Sequence, residues 1–180
     1  MGKTCGTDTR LESALEHASR IIKPNSLVLY APHTKIHEQA KAWAKINGKI
    51  IYDDVFDKKC WLEFYVTTWS RALAKAASGT VYIFIPPSGL DGKGTFTETE
   101  WGELVAYGSG VDKIQWIPID ESFNRTKEPP ITIWDWSIGP MGFPRRTSMR
   151  EICALYEAKK SKALKSGKFN HSKSARSKAR

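Results

Sequence analysis

Residues 92–100, Gly-Lys-Gly-Thr-Phe-Thr-Glu-Thr-Glu, hold the densest set of groups in this chain that could do chemistry. Thr97 and Glu100 stand at capping-box spacing, which predicts Thr97 as a helix N-cap, Glu98 as the first helical residue and Glu100 as the reciprocal cap. Glu100 is thereby explained by local structure. Glu98 would sit beside unpaired backbone N–H groups at the positive end of the helix dipole, which favours an ionised carboxylate and lowers its pKa. Such a group suits a nucleophile, or an electrostatic stabiliser of an oxocarbenium-like centre, better than a proton donor. Dipole effects alone also place acids in first helical turns. Gly89, Gly92 and Gly94 let the backbone of the same loop approach a ligand closely, so its N–H groups could hold a phosphate or a sugar hydroxyl.

Other constellations are weaker. Gly92-Lys93 before a helix suggests a P-loop, but Gly94 stands where Ser or Thr is required and Pro87 where the first glycine belongs, so that motif is rejected. His33 and His37 are four apart, as metal ligands on one helix face are, yet no acid or Cys stands beside them at ligand spacing on that face. They read as surface or capping residues, and no metal is assigned. Trp134, Asp135 and Trp136 could line a base-stacking pocket, but aromatics alternating along a strand belong more often to a core or interface. Cys5, Cys60 and Cys153 are widely spaced, which argues against a zinc site or a disulfide framework. No Ser-His-Asp or Cys-His set can be assigned from local motifs.

These groups need a scaffold. Val81 to Ile85, a continuous β-branched and aromatic run bounded by Gly79 and Pro86, reads as a central parallel strand buried on both faces. Around it the periodicity predicts helices over 9–22, 34–47, 60–77 and 98–107, strands over 26–31, 49–53 and 113–119, and a further strand or edge segment over 131–138. Alternating units of this length imply an α/β fold, a Rossmann-like or flavodoxin-like three-layer sandwich with a mostly parallel sheet of about five strands. Ligands of such folds bind in the crevice at the carboxyl ends of the strands, where the loop after strand 81–85 begins. The organisation expected is an N-terminal helix in 1–25, the α/β domain over 26–144, a C-terminal helix over 145–164 and a basic, disordered tail over 165–180.

The formal charge of +9 comes from 28 Lys/Arg and 19 Asp/Glu. Residues 145–180 carry twelve Lys/Arg against Glu151 and Glu157, while the rest of the chain carries sixteen against seventeen acids. The basicity therefore resides in the tail, which could contact nucleic acid or another anionic partner. No apolar run approaches the roughly 20 residues needed to span a bilayer, and the first residues lack the apolar core of a signal peptide. Cytoplasmic placement is expected, with the nucleus as the alternative that a basic tail suggests. The Met1-Gly2-Lys3-Thr4-Cys5-Gly6 start puts Gly6 where a myristoylation signal wants Ser or Thr.

Leu29-Tyr30-Ala31-Pro32, a helix ending in Asn47-Gly48, then Trp69 and Arg71, the strand at 81–85, and Gly94-Thr95-x-x-Glu98 together resemble the nucleoside 2-deoxyribosyltransferase-like superfamily over about residues 26–120. The resemblance implies that Tyr30 and Pro32 line the pocket and that Glu98 attacks the anomeric carbon of the sugar. The same stretch is similar to Lonely Guy type nucleotide phosphoribohydrolases, whose loop matches Gly92, Gly94, Thr95 and Glu98. Their catalytic Arg lies fifteen residues before the loop's Pro, as Arg71 lies before Pro86. Both families cleave N-glycosidic bonds, so a nucleoside or nucleotide substrate, no cofactor and a homo-oligomer are implied. The catalytic set would be Glu98, Tyr30 and Arg71, with Pro32, Asp91, Gly92, Lys93, Gly94 and Thr95 binding substrate. The chain departs from the family pattern in having Ser78-Gly79 where an Asp usually closes the helix before the central strand. It also has Gly92 where the transferases have Asp, which leaves Asp91 to contact the base. Two other readings stand beside this one: a catalytically inactive α/β binding protein that works through its basic tail, and a domain that cleaves nicotinamide dinucleotides with a Glu in a similar pocket.

Overall fold

The apolar run at 81–85 lies in the middle strand of a five-stranded sheet. A computed structural model describes residues 11–56, 63–86, 99–120 and 122–136. In chain order the elements are α1 (Leu11–Ile21), β1 (Leu27–Tyr30), α2 (Thr34–Ile46), β2 (Ile50–Ile51), α3 (Tyr52–Val55), α4 (Glu63–Ala76), β3 (Ser78–Phe84), α5 (Trp101–Leu104), β4 (Gly110–Trp116) and β5 (Ile131–Asp135). The strand order is β2-β1-β3-β4-β5. β2, β1, β3 and β4 run parallel, and β5 pairs antiparallel with β4. The fold is therefore the expected α/β, mostly parallel arrangement. The C-terminal helix expected over 145–164 and the tail over 165–180 lie outside the described residues.

Alternation along the strands divides the core between the two sheet faces. Leu27, Leu29, Val81, Ile83, Ile114 and Trp116 pack with Ala14 and Ala18 of α1 and with Trp69, Ala72 and Leu73 of α4. Val28, Phe84, Ile117 and Ile119 pack on the opposite face with Ile36, Ala40, Trp43 and Ala44 of α2. Burial of this apolar surface is the main force holding the layers together. Trp134 is buried in the first cluster, and Trp136, 41% exposed, lies with its ring 5.6 Å from that of Trp134. Asp135 is held by Lys113 Nζ at 3.3 Å. Among the described residues no helix is long and apolar enough to cross a membrane.

Three boundaries differ from the periodicity. β2 ends at Ile51 rather than Asp53, because the Asp54 carboxylate accepts the Ile51 backbone N–H at 2.9 Å and turns the chain into α3. β3 begins three residues early, at Ser78, and β4 at Gly110, with a bulge opposite Gly79 and Thr80. Of the helix expected over 98–107, Thr99 and Glu100 are π-helical and the α-helical part is the turn Trp101–Leu104. It stops because the Ser109 hydroxyl takes the Leu104 carbonyl at 2.7 Å and Gly108 follows in the left-handed region.

Order 2-1-3-4-5 has a consequence for function. From β1 the chain moves outward to β2 with α2 on one face, then returns to β3 with α4 on the other. The carboxyl ends of β1 and β3 are thus the topological switch point, the place where open α/β sheets leave a crevice.

Candidate active site

Tyr30 closes β1 at that switch point, in register with Phe84 at the end of β3. After it, Pro32 sits at the centre of a three-residue turn in which the His33 N–H donates to the Ala31 carbonyl at 2.7 Å. Proline's fixed φ favours such a turn, which starts α2 directly over the strand end. His37 then lies one turn into α2, its ring 5.0 Å from that of Tyr30. From the neighbouring strand end, α3 brings in Asp53, which is 5% exposed. The Tyr30 hydroxyl donates to Asp53 Oδ1 at 3.2 Å, and His37 Nε2 lies 2.6 Å from Asp53 Oδ2. A carboxylate only accepts, so His37 is the donor through Nε2–H.

The second half of the site comes from the other face. Glu100 precedes α5 and is 5% exposed; Ser70 of α4 is 4% exposed and hydrogen-bonds its carboxyl. Burial pushes the Glu100 carboxyl up to about 7, with the Ser70 hydrogen bond opposing part of that rise. Burial also raises the Tyr30 phenol well above its ordinary range, and the Asp53 carboxylate raises it further through charge and hydrogen bond. The Tyr52 phenol is raised by burial and then by the charges of Glu100 and Asp53. Tyr30 also feels the charge of Glu100, so the two halves form one electrostatic unit. The chemical content is two neutral phenols, an Asp clamped from both oxygens, and a buried carboxyl that titrates near neutrality. A carboxyl so poised can donate and accept a proton at pH 7.

Glu100 differs in role from its expectation. As the residue before α5 it makes no side-chain capping bond there, and its carboxyl turns to Ser70 inside the protein. Glu98, Asp91, Gly92, Lys93, Gly94 and Thr95 lie outside the described residues. Arg71 sits next to Ser70 but points away from it. It is half-exposed, with its Nε on Glu103, whose other oxygen holds Lys75 Nζ at 3.0 Å. Burial tends to raise the Glu103 carboxyl, but the hydrogen bonds and charges of Lys75 and Arg71 outweigh it and hold it below the usual range. His33 and His37 do not act as a pair. The His33 ring lies tilted against Phe123 at 4.2 Å, while His37 serves Asp53.

Neither a protein-family model nor a curated protein sequence matches the chain.

Asp53, His37, Ser70, Tyr52 and Glu100 are the site residues that local motifs did not nominate. Some signal was present. Asp53 ends the Lys-Ile-Ile-Tyr-Asp run, and an acid at the carboxyl end of a strand in an α/β fold lies where ligands bind. Ser70 shares the buried helical face of Leu73, Ala74 and Ala77, where a lone hydroxyl needs a polar partner.

Proposed function

We propose that the chain cleaves or transfers the N-glycosidic bond of a nucleoside or nucleotide in the crevice at the carboxyl ends of β1 and β3. The observation that carries this reading is the Glu100 carboxyl, buried on Ser70, pushed up to about 7 and electrostatically coupled to Tyr30 and Tyr52. Departure of a base from a sugar needs a proton on the base and a negative partner for the charge growing at the anomeric carbon. Glu100 supplies the proton. Glu98, by the resemblance, supplies the carboxylate that attacks or stabilises the anomeric carbon, and Tyr30 orients it. Gly92, Gly94 and Thr95 cradle the ligand, Asp91 and Pro32 meet the base side, and Lys93 takes a phosphate or carboxylate, Arg71 being held by Glu103.

Base release from a panel of nucleosides and 5′-nucleotides, followed chromatographically for the wild type and Glu98→Ala, tests the reading. The wild type is expected to release base from at least one member and Glu98→Ala to be slower by on the order of a hundredfold or more. No release from any member overturns the reaction class, whereas equal rates remove Glu98 from the chemistry.

The charge division supports a second activity, contact with nucleic acid through residues 145–180. Deleting residues 166–180, which hold five Lys/Arg and no acid, is expected to lower the salt needed to elute the protein from heparin. Counterion release predicts that the slope of log affinity for DNA against log salt falls by about 3 to 5. Turnover by the crevice is expected to be unchanged. Unaltered elution and slope would remove the tail from any such role.

A further inference from the structure

We infer that Asp53 is a positioning residue of the crevice: through its two oxygens it ties His37 to Tyr30, and so presents the Tyr30 oxygen as an acceptor for a hydroxyl of the bound sugar. The inference deepens the glycosidic reading of the same site, but its structural half stands apart from that reading. Tyr30 has one proton and two lone pairs. Its proton is committed to Asp53 Oδ1 at 3.2 Å, so what the phenol offers the crevice is acceptor capacity.

The commitment is built in from three elements. α3 supplies Asp53, which is 5% exposed and too deeply placed to swing to solvent. α2 supplies His37, whose Nε2 holds Oδ2 at 2.6 Å and whose ring lies 5.0 Å from Tyr30, so the carboxylate cannot rotate without breaking that contact. β1 supplies Tyr30 at a position fixed by its pairing with Phe84. A carboxylate accepting from two sides in a buried setting is costly to disturb, since removing one partner leaves the other group buried and unpaired. The groups that act on Tyr30 are Asp53 and His37 by contact, with Tyr52 and Glu100 through their charge. A phenol held this way keeps its proton and its orientation while Glu100 changes charge.

Sugar hydroxyls are donors in search of acceptors, and a fixed phenolic oxygen selects a ligand that carries one over a ligand that lacks it. The discrimination grows because an unmatched polar group in the site is penalised.

Asp53→Asn tests the inference in the full chain labelled with ¹³Cζ-tyrosine, the Tyr30 signal being assigned with Tyr30→Phe. In the wild type the Tyr30 signal is expected to stay at the shift of a protonated phenol through pH 11. In Asp53→Asn, with charge and hydrogen bond weakened, ionisation is expected to begin at least one pH unit lower. His37 is expected to lose its hydrogen-bonded Nε2–H resonance. Asp53→Glu, which keeps the charge, is expected to restore part of both signals, a rescue that a merely structural role would not give. An unchanged Tyr30 titration in a folded Asp53→Asn overturns the inference. The kinetic arm uses the nucleoside that the wild type cleaves: kcat/KM of Asp53→Asn is expected to fall tenfold or more, and an unchanged kcat/KM overturns the sugar contact. If the wild type cleaves nothing while the tyrosine signals behave as stated, the positioning role stands and the glycosidic reading fails.

Discussion

At pH 8 the variant Glu100→Gln is expected to be more stable than the wild type, and at the same time to have lost most of its turnover. The Glu100 carboxyl is pushed up to about 7 in the folded protein from an ordinary value of 4.5, chiefly by burial. The folded state therefore binds this proton more tightly than the unfolded chain. The stabilisation it contributes is complete below pH 4.5 and is lost as the pH rises through 7. Across that window the wild type loses about 3 kcal/mol, taking about 1.4 kcal/mol for each unit of difference. Glutamine stays neutral, fits nearly the same volume, and can still accept from Ser70 through its carbonyl. Urea unfolding midpoints for the two proteins are thus expected to converge near pH 5 and to separate steadily by pH 8, with Glu100→Gln ahead. Curves that stay parallel from pH 5 to 8 would show that Glu100 does not titrate in this range. If the chain cleaves the N-glycosidic bond as proposed, the same substitution removes the proton donor, and kcat for base release is expected to drop by on the order of 10²–10⁴. The ionisation near 7 is expected to vanish from the pH–rate profile.

The contrast between Glu98 and Glu100 also marks where sequence reasoning stops. Thr97 and Glu100 match a capping box because that motif is a spacing of three, visible in any chain. What Glu100 does is decided by burial and by Ser70, thirty residues earlier on α4. Neither is a local property. The scaffold was far more legible. The run at 81–85 could only be a strand covered on both faces, and alternation of apolar periods required crossovers, so the central parallel strand and the crevice beside it followed from pattern alone. Tyr30 is marked in the sequence by the family resemblance alone, since the apolar run 26–31 continues past it to Ala31, whereas the strand itself ends at Tyr30. From pattern Asp53 ends a longer strand, because nothing in Ile-Tyr-Asp-Asp announces that Asp54 will fold back onto the Ile51 N–H. Arg71 shows the converse: a charge at the right distance along the chain can be turned outward by one residue of helix, to a partner such as Glu103.

Gly79→Ala is expected to be the most damaging single methyl group that can be added to the described sheet, costing about 2–4 kcal/mol. Gly79 lies at φ +67, where an L side chain is strained by roughly 1–2 kcal/mol. A Cβ there would also sit 2.8 Å from the Asn25 Cγ, closer still to its Oδ1, a distance no real contact sustains. Asn25 is poorly able to yield. It is itself left-handed at φ 62, its N–H donates to the Ser78 carbonyl at 2.9 Å, and its Oδ1 takes the Thr80 N–H at 2.7 Å. Forcing it aside costs one of these bonds, worth about 1 kcal/mol. The Ser78-Gly79 pair, which stands where the resembling family has an acid, is therefore required here by the joint between β1 and β3. Asn25→Gly keeps the backbone angle and removes the amide, so the double variant Asn25→Gly/Gly79→Ala keeps the strain but not the collision. Urea unfolding of the four proteins is expected to give a coupling of about 1 kcal/mol or more in favour of the double variant. Strict additivity would mean that the two residues do not meet. The joint matters to the crevice because it ties the amino ends of the same two strands whose carboxyl ends carry Tyr30 and Phe84. In a parallel pair a slip of one residue would turn every side chain to the other face. The folded fraction of Gly79→Ala is thus expected to keep wild-type turnover per folded molecule, since the pairings from Val28–Tyr82 to Tyr30–Phe84 hold the register beyond the damaged joint.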